Sequence, residues 1–530
     1  MSGKSLKSAL IRKRFIIPAG TPVADIKTVL CKNFHCEESP LVTLRRAWHD
    51  TFDWRAFGAG AVIETEAAAG VSVMNWRDLE SGELLDSIAI RRPIRFARDI
   101  PPGRLRERAE PLLEMRALLP LVHTGGKVQS LNVLNKDDKT VVHLALEDMQ
   151  LSATGKSAKN RLPITLSVEP VRGYGEPFRQ VLSFIEQQLA LQPDTQNATL
   201  RVFETAGLLP GGYTSRLNLQ LTPEMRSDAA ARTILLRLFE TMRANEEGMK
   251  ADRDSEFLHE YRVAVRRTRS LLGQSKEVLP KPKLDKFRRE FSWLGEISSP
   301  TRDLDVYLLD FDKFKNSLPL PLKEDINPFH DFLERHQKIA HQRLAAQMES
   351  SRYRKLAGDW DAFLKSPLPA HSSLAHALRP AIETATERIW HMYRRVIKEG
   401  EAIQPHSPPE ELHELRKSCK KLRYLMEFFS SLYPQNLIRQ LIAALKSLQD
   451  QLGEYQDLHV QLATLATLRA QMIVEAIASE RMLVAFELIL QTIDQRQKEV
   501  RALFKTRFAD FAEAKNRDSF AELFKPQARS

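Results

Sequence analysis

The segments HEYRVAVRRTR, His259–Arg269, and HELRKSCKKLR, His413–Arg423, both follow H-x-x-R-x-x-x-[RK]-[RK]-x-R and start 154 residues apart. At about 100° per residue on a helix, His259, Arg262, Arg266 and Arg269 fall within one arc of roughly 80°. Leu258, Tyr261, Val265, Thr268 and Leu272 fill the neighbouring arc. In the second segment His413, Arg416, Lys420 and Arg423 take the basic arc, and Leu412, Leu415, Cys419, Leu422 and Met426 the apolar one. Each segment therefore predicts a helix that buries one face and shows a separate basic stripe. The register continues downstream. Asp303-Leu304-Asp305-Val306 lies 44 residues after His259, and Asp457-Leu458-His459-Val460 lies 44 after His413. A chance basic cluster would not carry a distant partner with it, so the pattern predicts duplicated helical units.

Helical periodicity runs from about Thr222 almost to the C-terminus. It is broken by VLPKPK at Val278–Lys283, LPLPLK at Leu318–Lys323, KSPLPAHSS at Lys365–Ser373 and QPHSPP at Gln404–Pro409. This predicts an all-α domain over 223–515 and a polar tail over 516–530. Ser407-Pro408-Pro409-Glu410 reads as a capping box with proline at the first helical position, and Asp254 or Ser255 would cap the earlier helix. Residues 1–220 have a different texture, rich in strand signals. Val128–Leu134 and Thr140–Leu146 flank the turn NKDDK as a hairpin. Ala61–Glu66 and Leu162–Val168 are further strands, Glu176–Leu191 a helix and Ser152–Asn160 a loop.

Lys and Arg number 79 against 68 Asp and Glu, a net charge of +11 that favours an acidic partner. Three cysteines, Cys31, Cys36 and Cys419, without a CxxC pair, make no disulfide framework and fit a reducing compartment. The N-terminal apolar run is too short for a signal segment, and no stretch is long and apolar enough to span a membrane. A cytoplasmic protein is expected.

Like charges at i, i+4, such as Arg262–Arg266 and Arg416–Lys420, destabilise a helix by a few tenths of a kcal/mol per pair. A bridging anion would remove that repulsion. Arginine presents a planar fork that suits phosphate oxygens, and histidine can donate to them. The competing reading is a solvated face neutralised by acids from other helices, with Asp303, Asp305 and Asp457 as candidates. Metal ligation by His259 or His413 ranks below phosphate, since no second ligand shares the stripe at ligand spacing. A third basic helix, around Arg388–Lys398, could extend the patch through Arg394, Arg395 and Lys398, with Trp390, Tyr393 and Ile397 towards the core.

At these residues the chain resembles the CHAD family. The matching stretches are FLHEYRVAVRRTRSLL, TRDLDVYL, WHMYRRVIKEG, ELHELRKSCKKLRYLMEFF and LQDQLGEYQDLHVQLATL. The resemblance implies two helical bundles related by pseudo-twofold symmetry and a basic surface that binds inorganic polyphosphate. The implied contacts are His259, Arg262, Arg266, Arg269, His413, Arg416, Lys420 and Arg423. His459, where the first repeat has Asp305, departs from the repeat. Residues 1–220 resemble a degenerate CYTH domain, an antiparallel β-barrel or tunnel that hydrolyses triphosphates with a metal. RKRFIIP, RRAWHDTFDWRAFGAGAVIETE and KTVVHLALEDMQL followed by PITLSVEPVRG carry that likeness. The family's ExExK glutamates stand here as Leu10-x-Arg12-x-Arg14, and later acidic positions as Thr165 and Ser167, leaving Glu169. Metal-assisted hydrolysis needs carboxylates, so catalysis is not expected. Arg45, Arg46, Arg91, Arg92 and Arg95 would then be surface arginines or line an anion tunnel.

The reading is an α+β two-domain chain whose helical part binds polyphosphate, with no cofactor and no metal, and which follows polyphosphate to its granules. The alternatives are triphosphate hydrolysis by the CYTH-like part, nucleic-acid binding, or docking of an acidic protein. The stripes lack interleaved aromatics and base-reading amides, which disfavours nucleic acid. Oligomerisation is left open.

Overall fold

The computed structural model describes residues 12–152, 161–214 and 217–526. Leu10, the loop expected after Ser152 and the last four residues lie outside that set. The chain divides into two compact units, Met1–Thr214 and Ser215–Ser530.

The first unit is a ten-stranded antiparallel sheet among the described residues. Its strands are β1 (Lys13–Ile16), β2 (Cys36–Glu38), β3 (Val42–Asp50), β4 (Ala61–Ala68), β5 (Val71–Asp78), β6 (Leu84–Ile90), β7 (Leu119–Leu134), β8 (Thr140–Leu151), β9 (Thr165–Pro170) and β10 (Gln192–Pro193). The order is β10-β1-β9-β8-β7-β3-β4-β5-β6, with β2 on β7. The expected hairpin is β7–β8. Its turn closes because Asn135 Oδ1 accepts from the Asp137 and Lys139 amides while Asp138 takes φ 57°.

The sheet is not closed as a barrel, which corrects the tunnel expectation. Its path ends at β6 and β10. β10 has two residues and offers too few backbone groups to continue a ladder. Leu84 and Leu85 of β6 are exposed.

Five helices, α1 (Val23–Asn33), α2 (Arg55–Gly58), α3 (Arg104–Leu113), α4 (Gly175–Gln187) and α5 (Ala198–Thr205), complete the unit. Leu30 of α1 and Ile185 of α4 join Val142, Leu166 and Val168 in one buried cluster. Leu105 and Leu113 of α3 join Met74 and Trp76 in another.

The second unit is all helical: α6 (Ser227–Lys250), α7 (Ser255–Gln274), α8 (Lys281–Ser317), α9 (Asn327–Met348), α10 (Ser351–Lys365), α11 (Ala381–Ala402), α12 (Pro409–Phe428), α13 (Gln435–Val474), α14 (Glu480–Ala502), α15 (Phe504–Phe511) and α16 (Ala514–Phe524). No helix among the described residues is long and apolar enough to cross a membrane. The stretch expected as a polar tail is largely α16. Phe520 and Phe524 are fully buried, and Phe520 stacks on Tyr393 at 4.0 Å between ring centres.

The repeat is carried by whole elements. α6, α7 and α8 begin at Ser227, Ser255 and Lys281; α11, α12 and α13 begin 154 residues later, at Ala381, Pro409 and Gln435. Where the copies meet they exchange matching bonds. The Ser227 amide donates to Arg379 O (2.9 Å) and the Ala381 amide to Met225 O (2.7 Å). The Asp228 amide donates to Ala377 O (3.1 Å) and the Ile382 amide to Pro223 O (3.4 Å). Each bond maps onto its mate by the same offset, so a local twofold axis passes between Arg226 and Pro380, which form an isolated antiparallel bridge. α7 packs against α12, its own counterpart.

Candidate functional site

The two helices carry their stripes as the spacing demands. Leu258, Tyr261, Val265, Thr268 and Leu272 are buried, and so are Leu412, Leu415, Cys419, Leu422 and Met426. α7 starts as expected, with Asp254 accepting from the Glu256 amide at 2.9 Å. α12 starts differently. Pro409 is its first residue, but Pro408 is the cap residue and makes no side-chain cap bond. Ser407 instead donates to the Glu411 side chain at 2.5 Å and accepts from the Gln404 amide at 3.1 Å, so the expected capping box does not form.

Arg266 and Lys420 are counterparts under the offset, and they face one another closely enough to act on each other's charge. Lys420 is pulled down to about 8, first by burial, then by Arg416, Arg266 and Arg423, against the opposing pull of Asp457. No carboxylate pairs with Arg266 or Lys420 among the described residues. Arg416 bonds Asp457 at 3.1 Å; burial pushes its pKa down further than Asp457 raises it, and Arg266 adds to the push. Its Nε is buried without a partner.

Arg262 is turned to α8. Its Nη1 donates to Gly295 O (3.0 Å) and Ser298 Oγ (2.7 Å), and its Nη2 to Ser299 Oγ (3.1 Å). Burial draws it down to about 10, Asp303 opposes, and Arg266, Arg302 and Arg269 reinforce the fall. Exposed Arg269 shares this corner, with Nη1 3.0 Å from where a side chain on Gly295 would begin. Arg423 donates to Glu427 (2.7 Å) and Gln449 (3.0 Å). His413 Nδ1 lies 3.0 Å from Gln456 Oε1, an arrangement in which the ring donates. His259 is half-buried at the head of the α7 stripe.

The acids fall out unevenly. Asp303 and Asp457 act on Arg262 and Arg416, as the solvated-face reading anticipated. Asp305 does not. It is buried against α9, accepts from Gln337 at 3.0 Å, and is pushed up to about 6 by burial. His459, its counterpart, pairs with Gln497 of α14 at 3.2 Å. A carboxylate that the sequence reading missed closes the α12 stripe: Glu427 holds both Arg423 and Arg267, the latter at 2.9 Å. Its position four residues after Arg423 was the available signal. Arg394 and Arg395 are exposed on α11, Arg395 is paired with Glu399 at 2.6 Å, and neither is among the charges acting most on Lys420.

The interior of the first unit holds a second charged cluster. Arg46 bonds Glu66 (2.7 Å) and lies 3.9 Å from Glu64 and 3.6 Å from Glu147. Arg77 also pairs with Glu64, and Arg12 approaches Glu147 at 3.8 Å and donates to Ser167 at 3.0 Å. Arg14, Arg46, Glu147, Asp194 and Arg201 line a cavity of about 50 Å³. Arg45, Arg91, Arg92 and Arg95 are all exposed, so of the five arginines considered for a tunnel only Arg46 points inward. Glu169 is exposed and Thr165 and Ser167 are buried without charge.

The interior residues do not fit a divalent cation. The carboxylates Glu64, Glu66 and Glu147 converge on a guanidinium. Among the described residues no set of three acidic, histidine or cysteine side chains is close enough to hold a metal.

The family model of the CHAD domain matches residues 233–466, so the chain contains a CHAD domain. Solved structures similar to the chain include the CHAD domain from the plant Ricinus communis, 24% identical over 60% of this chain and 99% of that one, with a TM-score of 0.44. PptA from Streptomyces chartreusis is 16% identical over 54% of this chain and 99% of its own, at 0.41. HpAC1 from Hippeastrum, described as having a dominant triphosphatase activity, is 12% identical over 38% of this chain and 99% of its own, at 0.27. No curated protein matches the chain.

Proposed function

We propose that the CHAD domain binds inorganic polyphosphate on the surface where α7 and α12 meet. His259, Arg262, Arg266, Arg269, His413, Arg416, Lys420 and Arg423 are its contacts, with Arg394 and Arg395 as outlying charges. The observation that carries this reading is the seam itself: Arg266, Arg416, Lys420 and Arg423 crowd together, and among the described residues Arg266 and Lys420 have no carboxylate partner. Crowded cations in a partly desolvated place raise the free energy of the empty protein, and a chain of phosphates relieves it. The forks of Arg262 and Arg416 are already oriented by α8 and α13, so little side-chain freedom is lost on binding.

Polyphosphate fits this surface better than nucleic acid does. No aromatic alternates with the cations for base stacking, and the nearby Tyr424 ring is covered by Arg267 at 5.8 Å. A protein of this kind collects where polyphosphate accumulates, including granules. Its partner is the polyanion itself.

The test is titration of the full chain with long-chain polyphosphate, set beside the Arg266→Ala, Arg269→Ala, Lys420→Ala triple variant. Affinity should fall by about tenfold or more, and the salt dependence should flatten by about one unit of slope per cation removed. Equal affinity in the variant, or RNA displacing polyphosphate at matched phosphate concentration, refutes the reading.

A further inference from the structure

We infer that Arg46 is a built-in cation that occupies the interior carboxylate cluster of the first unit and makes this unit independent of divalent metal. This inference does not rest on the polyphosphate reading, which concerns the other unit.

The geometry begins with strand alternation. Arg46 of β3 points inward while Arg45 points to solvent. Glu64 and Glu66 stand two apart on β4, on one face, and β4 pairs directly with β3. Glu147 comes from β8 and approaches the guanidinium from the other end. Glu64 and Glu147 are 5% and 10% exposed at their side chains, and Arg46 is 15% exposed. Such acids cannot all be charged in this interior without a compensating cation. A guanidinium supplies one positive charge over a flat fork, with Nε serving β4 and Nη1 serving Glu147. Burial works against the charge on Arg46, and the three glutamates more than offset it, so the guanidinium is held more firmly protonated than usual. Glu147 in turn is kept below the usual carboxylate range by Arg46, Arg14 and Arg12 despite burial.

Three oxygen-bearing side chains around one cation is also the donor set a hard divalent ion takes. Here the fork binds Glu66 and lies between Glu64 and Glu147, whose remaining charge is met by Arg77 and Arg12. Removing the fork takes the cation from Glu66 and leaves Glu64 with Arg77 and Glu147 with Arg12 and Arg14, one positive charge short, so that carboxylates from β4 and β8 can close on a smaller ion. The residue that excludes the metal is thus covalently part of the chain, and it cannot be stripped by a chelator.

The experiment uses the full chain and three forms: the natural sequence, Arg46→Ala, and Arg46→Ala with Glu64→Gln and Glu147→Gln. Hydrogen exchange of peptides covering β3 and β4 is followed in chelator and in millimolar Mn²⁺. The natural chain should exchange identically in both. Arg46→Ala should exchange faster in chelator and regain protection with Mn²⁺, and the triple variant should ignore Mn²⁺. Should Arg46→Ala not fold in chelator, its refolding yield with and without Mn²⁺ gives the same reading. Mn²⁺ protection of β3 and β4 in the natural chain would overturn the inference. So would an Arg46→Ala chain that gains nothing from Mn²⁺ in either measurement.

Discussion

Replacing Lys420 with methionine should make the protein more stable and a poorer binder at once. Lys420 falls from its ordinary 10.5 to about 8 through burial and the neighbouring Arg416, Arg266 and Arg423. A lysine whose folded pKa lies below its unfolded one binds fewer protons folded than unfolded between those values. Its charge therefore costs stability in full below pH 8, and the cost fades as pH rises towards 10.5. A shift of that size corresponds to about 3 kcal/mol at 1.36 kcal/mol per unit; partial exposure reduces it to about 1–2 kcal/mol. Lys420→Met keeps the packing stem and removes the charge. Urea unfolding followed by far-ultraviolet circular dichroism should show the variant more stable by about that amount at pH 7, and by well under 1 kcal/mol near pH 10. Polyphosphate affinity should drop in the same protein. A variant no more stable at pH 7, or one with an advantage that does not shrink with pH, refutes the view that the seam is an electrostatically strained site.

Glu427→Gln releases Arg423 and Arg267, and polyphosphate titration should show binding tightened by a few-fold while the unfolding free energy falls by about 1 kcal/mol. Asp305→Asn keeps the acceptor for Gln337 but removes a buried charge. Because Asp305 is raised to about 6 from 3.8, its folded form holds the extra proton, and stability is lost as pH rises through 6. Denaturant curves should place the variant about 1–3 kcal/mol above the natural chain at pH 7 and level with it near pH 4. Arg262→Ala removes three hydrogen bonds to α8, and melting should reveal a loss of about 1–3 kcal/mol; on the proposed reading polyphosphate binding weakens as well.

The helical unit was legible because its signal is local. Leu258, Tyr261, Val265 and Thr268 recur at three and four residues, and burial follows that spacing without exception. The offset between His259 and His413 likewise foretold the paired elements. What the spacing could not foretell is the meeting of the copies, because the charge of Arg266 acts on Lys420 across the whole offset, and the copies are joined by the exchanged bonds around Arg226 and Pro380. The cluster around Arg46 was missed for a similar reason. Glu64 and Glu66 sit in plain view in AVIETE, with the period of two that marks a common face, yet Glu147 lies more than eighty residues further on. Only strand register brings it to the same guanidinium. Phe520 and Phe524, four apart in a stretch otherwise rich in charge, marked the last helix and were outweighed by composition.

The exchanged bonds at Arg226 and Pro380 bear on ancestry. Each repeat holds both the donor and the acceptor side of the clasp, so a single repeat is self-complementary in the manner of an isologous dimer. Two separate copies would find one another by diffusion; the connecting chain raises the local concentration of the second copy to about the millimolar range. Fusion frees each copy to drift, and the drift is visible where aspartate at 305 in one copy corresponds to histidine at 459 in the other. A lone repeat released from the chain should therefore seek a twin.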